Sequence, residues 1–110
     1  MTGPVKLLLI FINETDRWRD MPLDLAIVQR LLKLNIAGAT AVPGGTGFGR
    51  HMKVHHKGLF GIADDRAVAI MAVDREDKIR AAIPEVRTML LGGLILLLDA
   101  EAIATTADIP

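Results

Sequence analysis

A run of six apolar residues, Leu-Leu-Leu-Ile-Phe-Ile at positions 7–12, constrains the fold of this chain more than any other feature. The run is short and is bounded by polar residues, which predicts a buried β-strand. Residues 67–73 show the same unbroken apolar pattern and predict another strand of this kind. Each of these strands has two apolar faces, whereas a strand with one face in water alternates apolar and polar residues. The sheet that contains them therefore needs a cover on both faces.

Between these strands, residues 23–34 carry apolar side chains with the 3.6-residue period of an amphipathic helix. Pro22 suits the first turn of this helix, and Asp20 can cap it. Asn35 and Gly38 are the residues that end it.

Further elements complete the pattern. A short strand is predicted over residues 39–42 and is closed by Pro43. A second helix is predicted over residues 75–91, with a kink or two abutting helical pieces at Pro84. A glycine pair ends this helix, and residues 94–98 predict a last strand.

The order strand–helix–strand–strand–helix–strand predicts an α+β fold, the ferredoxin-like βαββαβ sandwich. In this fold a four-stranded antiparallel sheet carries both helices on one face. A single domain of 110 residues has nothing left to cover the other face. We therefore predict an obligate oligomer whose sheets pack together, with a central-strand residue such as Ile10 or Ile70 in or near the inter-subunit core.

Composition narrows the class of protein. The apolar runs are far shorter than the ~20 residues of a membrane-spanning helix, and the first run has no basic region ahead of it, so no signal peptide is expected. Cysteine is absent, which fits a cytoplasmic protein. The formal net charge is zero, so we expect no nucleic-acid partner. The chain beyond residue 99 has little drive to fold, and residues 104–110 are expected to form a loose tail.

The long connection over residues 44–61 is the predicted site. Its first part, residues 44–58, holds five of the ten glycines and all three histidines. No acidic residue occurs between Asp24 and Asp64, so the cations of this window are locally unbalanced. Glycine-rich, basic loops bind anions through backbone N–H groups and positive charge. The predicted ligand-binding residues here are Gly44, Gly45, Thr46, Gly47, Phe48, Gly49, Arg50, His51, Lys53 and Lys57.

Other interpretations of the same connection stay open. The spacing does not match a Walker A loop, because Arg50-His51 stands where Lys-Ser/Thr is required, and the dinucleotide fingerprint fails at Met52. The segment could be a flexible connector without a ligand. A metal site is the alternative, with His51, His55 and His56 as ligands. No nucleophile with a positioned base is evident, so we expect a protein that is not an enzyme.

Several segments resemble a known family. They are Glu14-x-Asp16-Arg17-Trp18, Ala37-Gly38-Ala39-Thr40, Gly47-Phe48-Gly49, and the stretch from Val73-Asp74 to Lys78-Ile79. Over about residues 5–103 the chain resembles the PII-like family catalogued as domain-of-unknown-function family one-ninety, which is related to the PII signalling proteins and to CutA.

The resemblance implies a subunit of a compact homotrimer. In PII proteins the connection after the second strand is the T-loop, which contacts partner proteins and helps to hold an adenine nucleotide between subunits. PII proteins have a second glycine-rich loop, and Lys78 matches the Lys of that loop, so the resemblance adds Lys78 to the predicted ligand-binding residues. The glycines of that loop are replaced here by Asp74, Glu76 and Asp77.

The resemblance thus implies a signal-transduction protein that binds a small anionic effector, ATP, ADP or AMP, and regulates a membrane transporter or an enzyme. The alternative is a CutA-like trimer that binds a divalent metal through the loop histidines.

Overall fold

The computed structural model describes residues 1–44, 47–48, 54–55 and 66–106. Its strands and helices are, in chain order, β1 (Gly3–Asn13), β2 (Arg17–Trp18), β3 (Met21–Pro22), α1 (Leu23–Lys33), β4 (Gly38–Pro43), β5 (Gly47–Phe48), β6 (Val54–His55), β7 (Ala67–Asp74), α2 (Glu76–Arg87) and β8 (Leu94–Ala102). None of the helices in these ranges is long and apolar enough to cross a membrane.

A four-stranded sheet in the order β4-β7-β1-β8 forms the centre of the fold. Every neighbouring pair is antiparallel, and Ile10 of β1 lies between Ile70 of β7 and Ile95 of β8. β4 and β7 are adjacent in the sheet, and each helix connects strands that are not neighbours. The α+β ferredoxin-like fold predicted from the sequence is confirmed.

One face of the sheet and the two helices enclose the core. Alternate side chains of β1 and β7 point to this face, where the apolar stripes of α1 and α2 cover them. The largest fully buried side chains are Leu8, Ile10, Leu23, Ile27, Leu31, Ile70, Ile79, Val86 and Met89. Ile10 and Ile70 lie beneath the helices, so the prediction that they lie in or near the inter-subunit core is wrong. The residues that alternate with them occupy the uncovered face.

The second half of the chain departs from the predicted boundaries. β8 continues to Ala102, and Ala100 pairs with Val5, so the expectation that the chain beyond residue 99 has little drive to fold is wrong for residues 100–102. α2 ends at Arg87 rather than residue 91, and Pro84 lies inside one continuous helix instead of dividing two pieces. Pro84 has no N–H, so the Arg80 carbonyl lacks its usual hydrogen bond within the helix. Both residues are exposed, so water can donate to this carbonyl instead.

The start of α1 also differs from the prediction. Pro22 is the cap residue and no side chain caps the helix, so Asp20 does not have the predicted capping role. The Leu23 N–H instead donates to the Asp16 carbonyl at 2.9 Å. The polar turn before α1 contains a short hairpin, β2–β3. Asn35 ends α1 as predicted, with a left-handed φ of 60°, whereas Gly38 already belongs to β4.

Candidate functional site

One end of the sheet, called the loop end here, gathers the start and the finish of the connection between β4 and β7. At this end Asn13 of β1 pairs with Ala67, and Pro43 of β4 pairs with Val68. Leu94, the first residue of β8, pairs with Phe11. The connection, the turn after β1 and the turn before β8 therefore all leave the sheet at the loop end.

Gly44, the first predicted ligand-binding residue, has a structural reason to be glycine. Its N–H donates to the Ala67 carbonyl at 2.8 Å, which extends the pairing of β4 with β7 by one residue. A Cβ on Gly44 would lie 2.7 Å from that carbonyl oxygen, too close for any real side chain. Gly44 thus holds the connection against the sheet, and its role in binding stays a prediction.

Part of the connection folds back on itself. β5 and β6 form an antiparallel pair in which Gly47 faces His55 and Phe48 faces Val54. The sequence predicted a loop here, and runs of two residues are too short for the strand pattern to appear in it. This hairpin places one of the glycines, Gly47, beside one of the histidines, His55. The predictions for Gly45, Thr46, Gly49, Arg50, His51, Lys53, His56 and Lys57 fall outside the described residues.

Lys78 is distant from Gly44 within one chain. It lies half-buried near the start of α2, just after β7 ends. β7 begins at the loop end and runs eight residues away from it, and a strand rises about 3.3 Å per residue. The structure therefore does not bring Lys78 together with Gly44 in one subunit. A site that uses both residues requires more than one chain.

Asp74, which replaces a glycine of the PII pattern, is a structural carboxylate. It is buried, with 7% of its surface exposed. Its oxygens accept hydrogen bonds from the Ala37 N–H at 2.9 Å and from the Arg75 N–H at 2.7 Å. Asp74 therefore ties the connection between α1 and β4 to the start of α2, at the end of the sheet opposite the loop end.

An ion pair that the sequence did not indicate closes the loop end. Arg66 Nη2 lies 2.6 and 2.8 Å from the two carboxylate oxygens of Glu14, and the Glu14 N–H donates to the Arg66 carbonyl at 2.6 Å. The Arg66 side chain is only 13% exposed, and its Nε is buried without a hydrogen-bond partner. Since Arg66 immediately precedes β7, this clamp fixes the point where the connection returns to the sheet. Glu14 and Arg66 are too far apart in sequence for any local pattern to pair them.

The opposite end carries a network of charged side chains. Lys6 pairs with Asp99 and lies 4.0 Å from Glu76, which Arg80 contacts at 2.7 Å. The hydrogen bond from Arg80 and the charge of Lys6 lower the pKa of Glu76, and the hydrogen bond from Lys6 lowers the pKa of Asp99. These charges are compensated within the network, so it offers little to a charged ligand.

Within the described ranges, no three His, Asp or Glu side chains lie close enough together to hold a metal ion. Of the histidines, only the backbone of His55 belongs to those ranges. The metal alternative, which requires His51 and His56 as well, is therefore still a prediction.

The fold is that of the PII-like and CutA proteins. CPII from Thiomonas intermedia K12, a nitrogen regulatory PII-like protein solved with ADP, AMP and bicarbonate, has a TM-score of 0.60 at 19% identity, covering 93% of this chain and 91% of that one. CutA1 from Oryza sativa has a TM-score of 0.61 at 12% identity, covering 96% and 85%. The "divalent ion tolerance protein" CutA1 from Ehrlichia chaffeensis has a TM-score of 0.60 at 14% identity, covering 97% and 88%.

Comparison of the sequence assigns the chain to a specific family within this fold. Residues 5–102 match the model of the family DUF190, described as "Uncharacterized ACR, COG1993", and the chain belongs to this family. A UPF0166 protein from Aquifex aeolicus (strain VF5) is 29% identical over 98 residues, which are 89% of this chain and 92% of that protein. The resemblance stated from the sequence is confirmed.

Proposed function

We propose that this protein is a PII-like regulatory protein that binds an adenine nucleotide at the loop end and signals through the connection between β4 and β7. The observation that carries the proposal is the way this connection is held. It starts at Gly44, which the Ala67 carbonyl fixes, and returns at Arg66, which Glu14 clamps. Binding residues concentrate on loops whose ends are positioned by a rigid scaffold.

The charge of the connection supports an anionic ligand. Arg50, Lys53 and Lys57 lie in a window without acidic residues. Phosphate groups would neutralise these cations, and the neutralised connection would present a different surface to a partner protein. CPII, which shares the fold, was solved with adenine nucleotides bound. The proposed partner is a membrane transporter or an enzyme, and the working assembly is a homotrimer in the cytoplasm.

Isothermal titration calorimetry with ATP, ADP, AMP and bicarbonate tests the proposal. We expect saturable binding of at least one adenine nucleotide. Replacing Arg50, Lys53 and Lys57 together by Gln should weaken this binding about tenfold or more, because charge-assisted hydrogen bonds to phosphate are lost.

The matched control replaces Arg17, Arg75 and Arg87 by Gln, three exposed cations outside the connection, and changes the net charge equally. Absence of binding to all the nucleotides at millimolar concentrations, or equal affinity in the two triple variants, would contradict the proposal. Prolonged incubation with ATP should leave no added ADP or AMP, since the proposed protein is not an enzyme.

A second candidate function is divalent-metal binding through His51, His55 and His56, as suggested by the shared fold with the CutA1 proteins. A ligating histidine must be neutral, so metal uptake should fall as pH drops through the imidazole range. Equilibrium dialysis with zinc should show uptake that is lost when all three histidines are replaced by alanine. Unchanged zinc stoichiometry in that variant would exclude the histidine site.

A further inference from the structure

A solvent-open groove of about 300 Å³ lies between the β2–β3 hairpin and α1, apart from the connection that carries the proposed function. Trp18 and Met21 contribute its apolar walls and pack against the core, and the buried core residues Ala26 and Met89 form its floor. Pockets of about 300–1,000 Å³ are typical of small-molecule sites. The groove is therefore of a size to hold the body of a small organic ligand.

The rim of the groove is positively charged. Arg19, Arg30 and Lys33 line it together with a single acid, Asp20. Glu85 contacts Arg30 at 2.9 Å and offsets part of that charge. Among the described residues, Arg19 and Lys33 form no ion pair with a carboxylate. An anionic group on a ligand would meet uncompensated cations here.

The helix dipole explains only part of this charge. Arg30 and Lys33 lie in the last turn of α1, where cations are favoured in any helix. Arg19 is not part of α1 but of the β2–β3 turn, and its guanidinium lies 5.2 Å from the centre of the Trp18 ring. The dipole of α1 therefore does not account for the charge of Arg19, which lies over the Trp18 ring as a cation–π contact.

Arg19 also adopts a backbone conformation that disfavours it. Its φ is 55°, at the first central position of a two-residue hairpin turn, where glycine is the favoured residue. A side chain in this region costs about 1 kcal/mol. A strained residue of this kind is a reason to look for a role in binding.

We infer that the groove binds an aromatic carboxylate, with the ring against Trp18 and Met21 and the carboxylate on Arg19 and Lys33. Guanidinium groups match carboxylates in geometry, and methionine sulfur packs favourably on aromatic rings. The groove is lined by α1, on the helical side of the sheet, so an oligomer formed through the uncovered sheet face leaves it open.

The chain itself supplies the reporter for a test. Trp18 is its single tryptophan and tyrosine is absent, so tryptophan emission comes from the groove alone. The wild-type protein, free of nucleotide, is titrated with phenylacetate, with phenylacetamide as the uncharged match and with acetate as the match without a ring. We expect a saturable change in emission with phenylacetate only.

Variants of Arg19 separate binding from folding. Arg19→Gln removes the charge and should raise the Kd for phenylacetate about tenfold, as expected for the loss of a hydrogen bond between charged groups. Arg19→Gly removes the charge as well and also relieves the strain of the positive φ. This variant should therefore be at least as stable as wild type and yet bind phenylacetate more weakly than wild type does. Arg17→Gln, an exposed neighbour that does not line the groove, should keep the wild-type Kd.

Absence of a saturable response to phenylacetate at millimolar concentrations would overturn the inference. So would an equal Kd for phenylacetamide or acetate, or equal effects of Arg17→Gln and Arg19→Gln. None of these results depends on a nucleotide, because the titrated protein is free of nucleotide and the described residues that line the groove all lie outside the connection.

Discussion

Among the glycines whose surroundings the structure describes, Gly93 is the one whose identity is restricted most severely. Its φ is 97°, a conformation that only glycine adopts at low cost. A Cβ there would lie 2.4 Å from the Phe11 carbonyl oxygen, which belongs to the central strand and cannot move aside. The turn that starts β8 can therefore approach β1 only with glycine at this position.

Gly93→Ala should destabilise the protein by roughly 2–4 kcal/mol, because an unfavourable φ adds to a backbone clash. Gly3→Ala is the matched control, since Gly3 has a φ of 95° but open space around its Cβ. That variant should lose only about 1 kcal/mol. Urea unfolding, followed by circular dichroism at one fixed protein concentration, measures both. Equal losses would show that the clash with Phe11 relaxes.

The Glu14–Arg66 clamp gives a second prediction at this scale. Glu14→Gln leaves the charge of a largely buried Arg66 unpaired and should destabilise the protein by about 1–3 kcal/mol. The control is Asp77→Asn, which breaks the pair of Arg75 and Asp77, where both side chains are more than 60% exposed. This variant should lose less than about 1 kcal/mol of stability. Urea midpoints compare the two variants. A loss in Glu14→Gln no larger than in the control would mean that water already solvates Arg66.

At the scale of the elements, the helices were predictable from their 3.6-residue apolar period, and the four strands of the sheet were predictable as short apolar runs bounded by polar residues, glycine or proline. The face that each strand turns to the helices was not predictable, because residues 7–12 are apolar on both sides. The helices cover Leu8 and Ile10, not Leu9, and a shift of one residue would have reversed the choice. Propensity carries no information that separates these alternatives.

The candidate site was harder to predict than the elements. Its glycine-rich connection is visible in the sequence, but what holds it in place depends on residues distant in sequence. Gly44 needs Ala67, and Arg66 needs Glu14. The groove could not be predicted either. Its hairpin strands, β2 and β3, have two residues each and show no period in the sequence.

The charged network around Lys6 predicts a pH dependence. The pKa of Glu76 and that of Asp99 are lowered from the ordinary values of 4.5 and 3.8. A lowered pKa in the folded state means that the stabilisation is complete above the unfolded value and is lost as pH falls through the folded value. The wild type should therefore lose this contribution as pH falls below about 4.5.

Lys6→Met keeps the aliphatic stem and removes the charge. Its deficit in urea midpoint relative to wild type should be largest near neutral pH and should shrink as pH falls below the ordinary pKa values of Glu76 and Asp99. Lys33→Met, which removes a cation outside this network, is the control and should differ from wild type by an amount that varies little over this range. A deficit in Lys6→Met that does not change with pH would mean that the pair with Asp99 does not persist in solution.

The uncovered sheet face dominates the molecule as a whole. It carries the side chains of β1 and β7 that alternate with the core residues, together with alternate residues of β4 and β8. Its larger apolar members are Val5, Leu7, Leu9, Phe11, Val42, Met71, Val73, Leu94, Leu96 and Leu98. Of these, Val42, Met71, Leu94, Leu96 and Leu98 are exposed in a single chain. A contiguous apolar face of this kind marks a protein–protein contact.

We therefore expect wild-type protein to sediment at equilibrium as an oligomer of 11.9-kDa chains, a trimer in our prediction. Leu96→Glu places a charge on the uncovered face, in the edge strand β8 and next to Leu9 of β1, and should dissociate the oligomer, because each leucine buried there contributes roughly 1.5–3 kcal/mol. Leu32→Glu is the matched control, since Leu32 is 72% exposed on α1 and lies outside that face. Circular dichroism distinguishes dissociation from unfolding. Loss of the oligomer or of the fold in Leu96→Glu, but not in Leu32→Glu, supports a contact between subunits through the sheet. A folded wild-type monomer at micromolar concentration, or an unchanged oligomer in Leu96→Glu, would show that this face tolerates water.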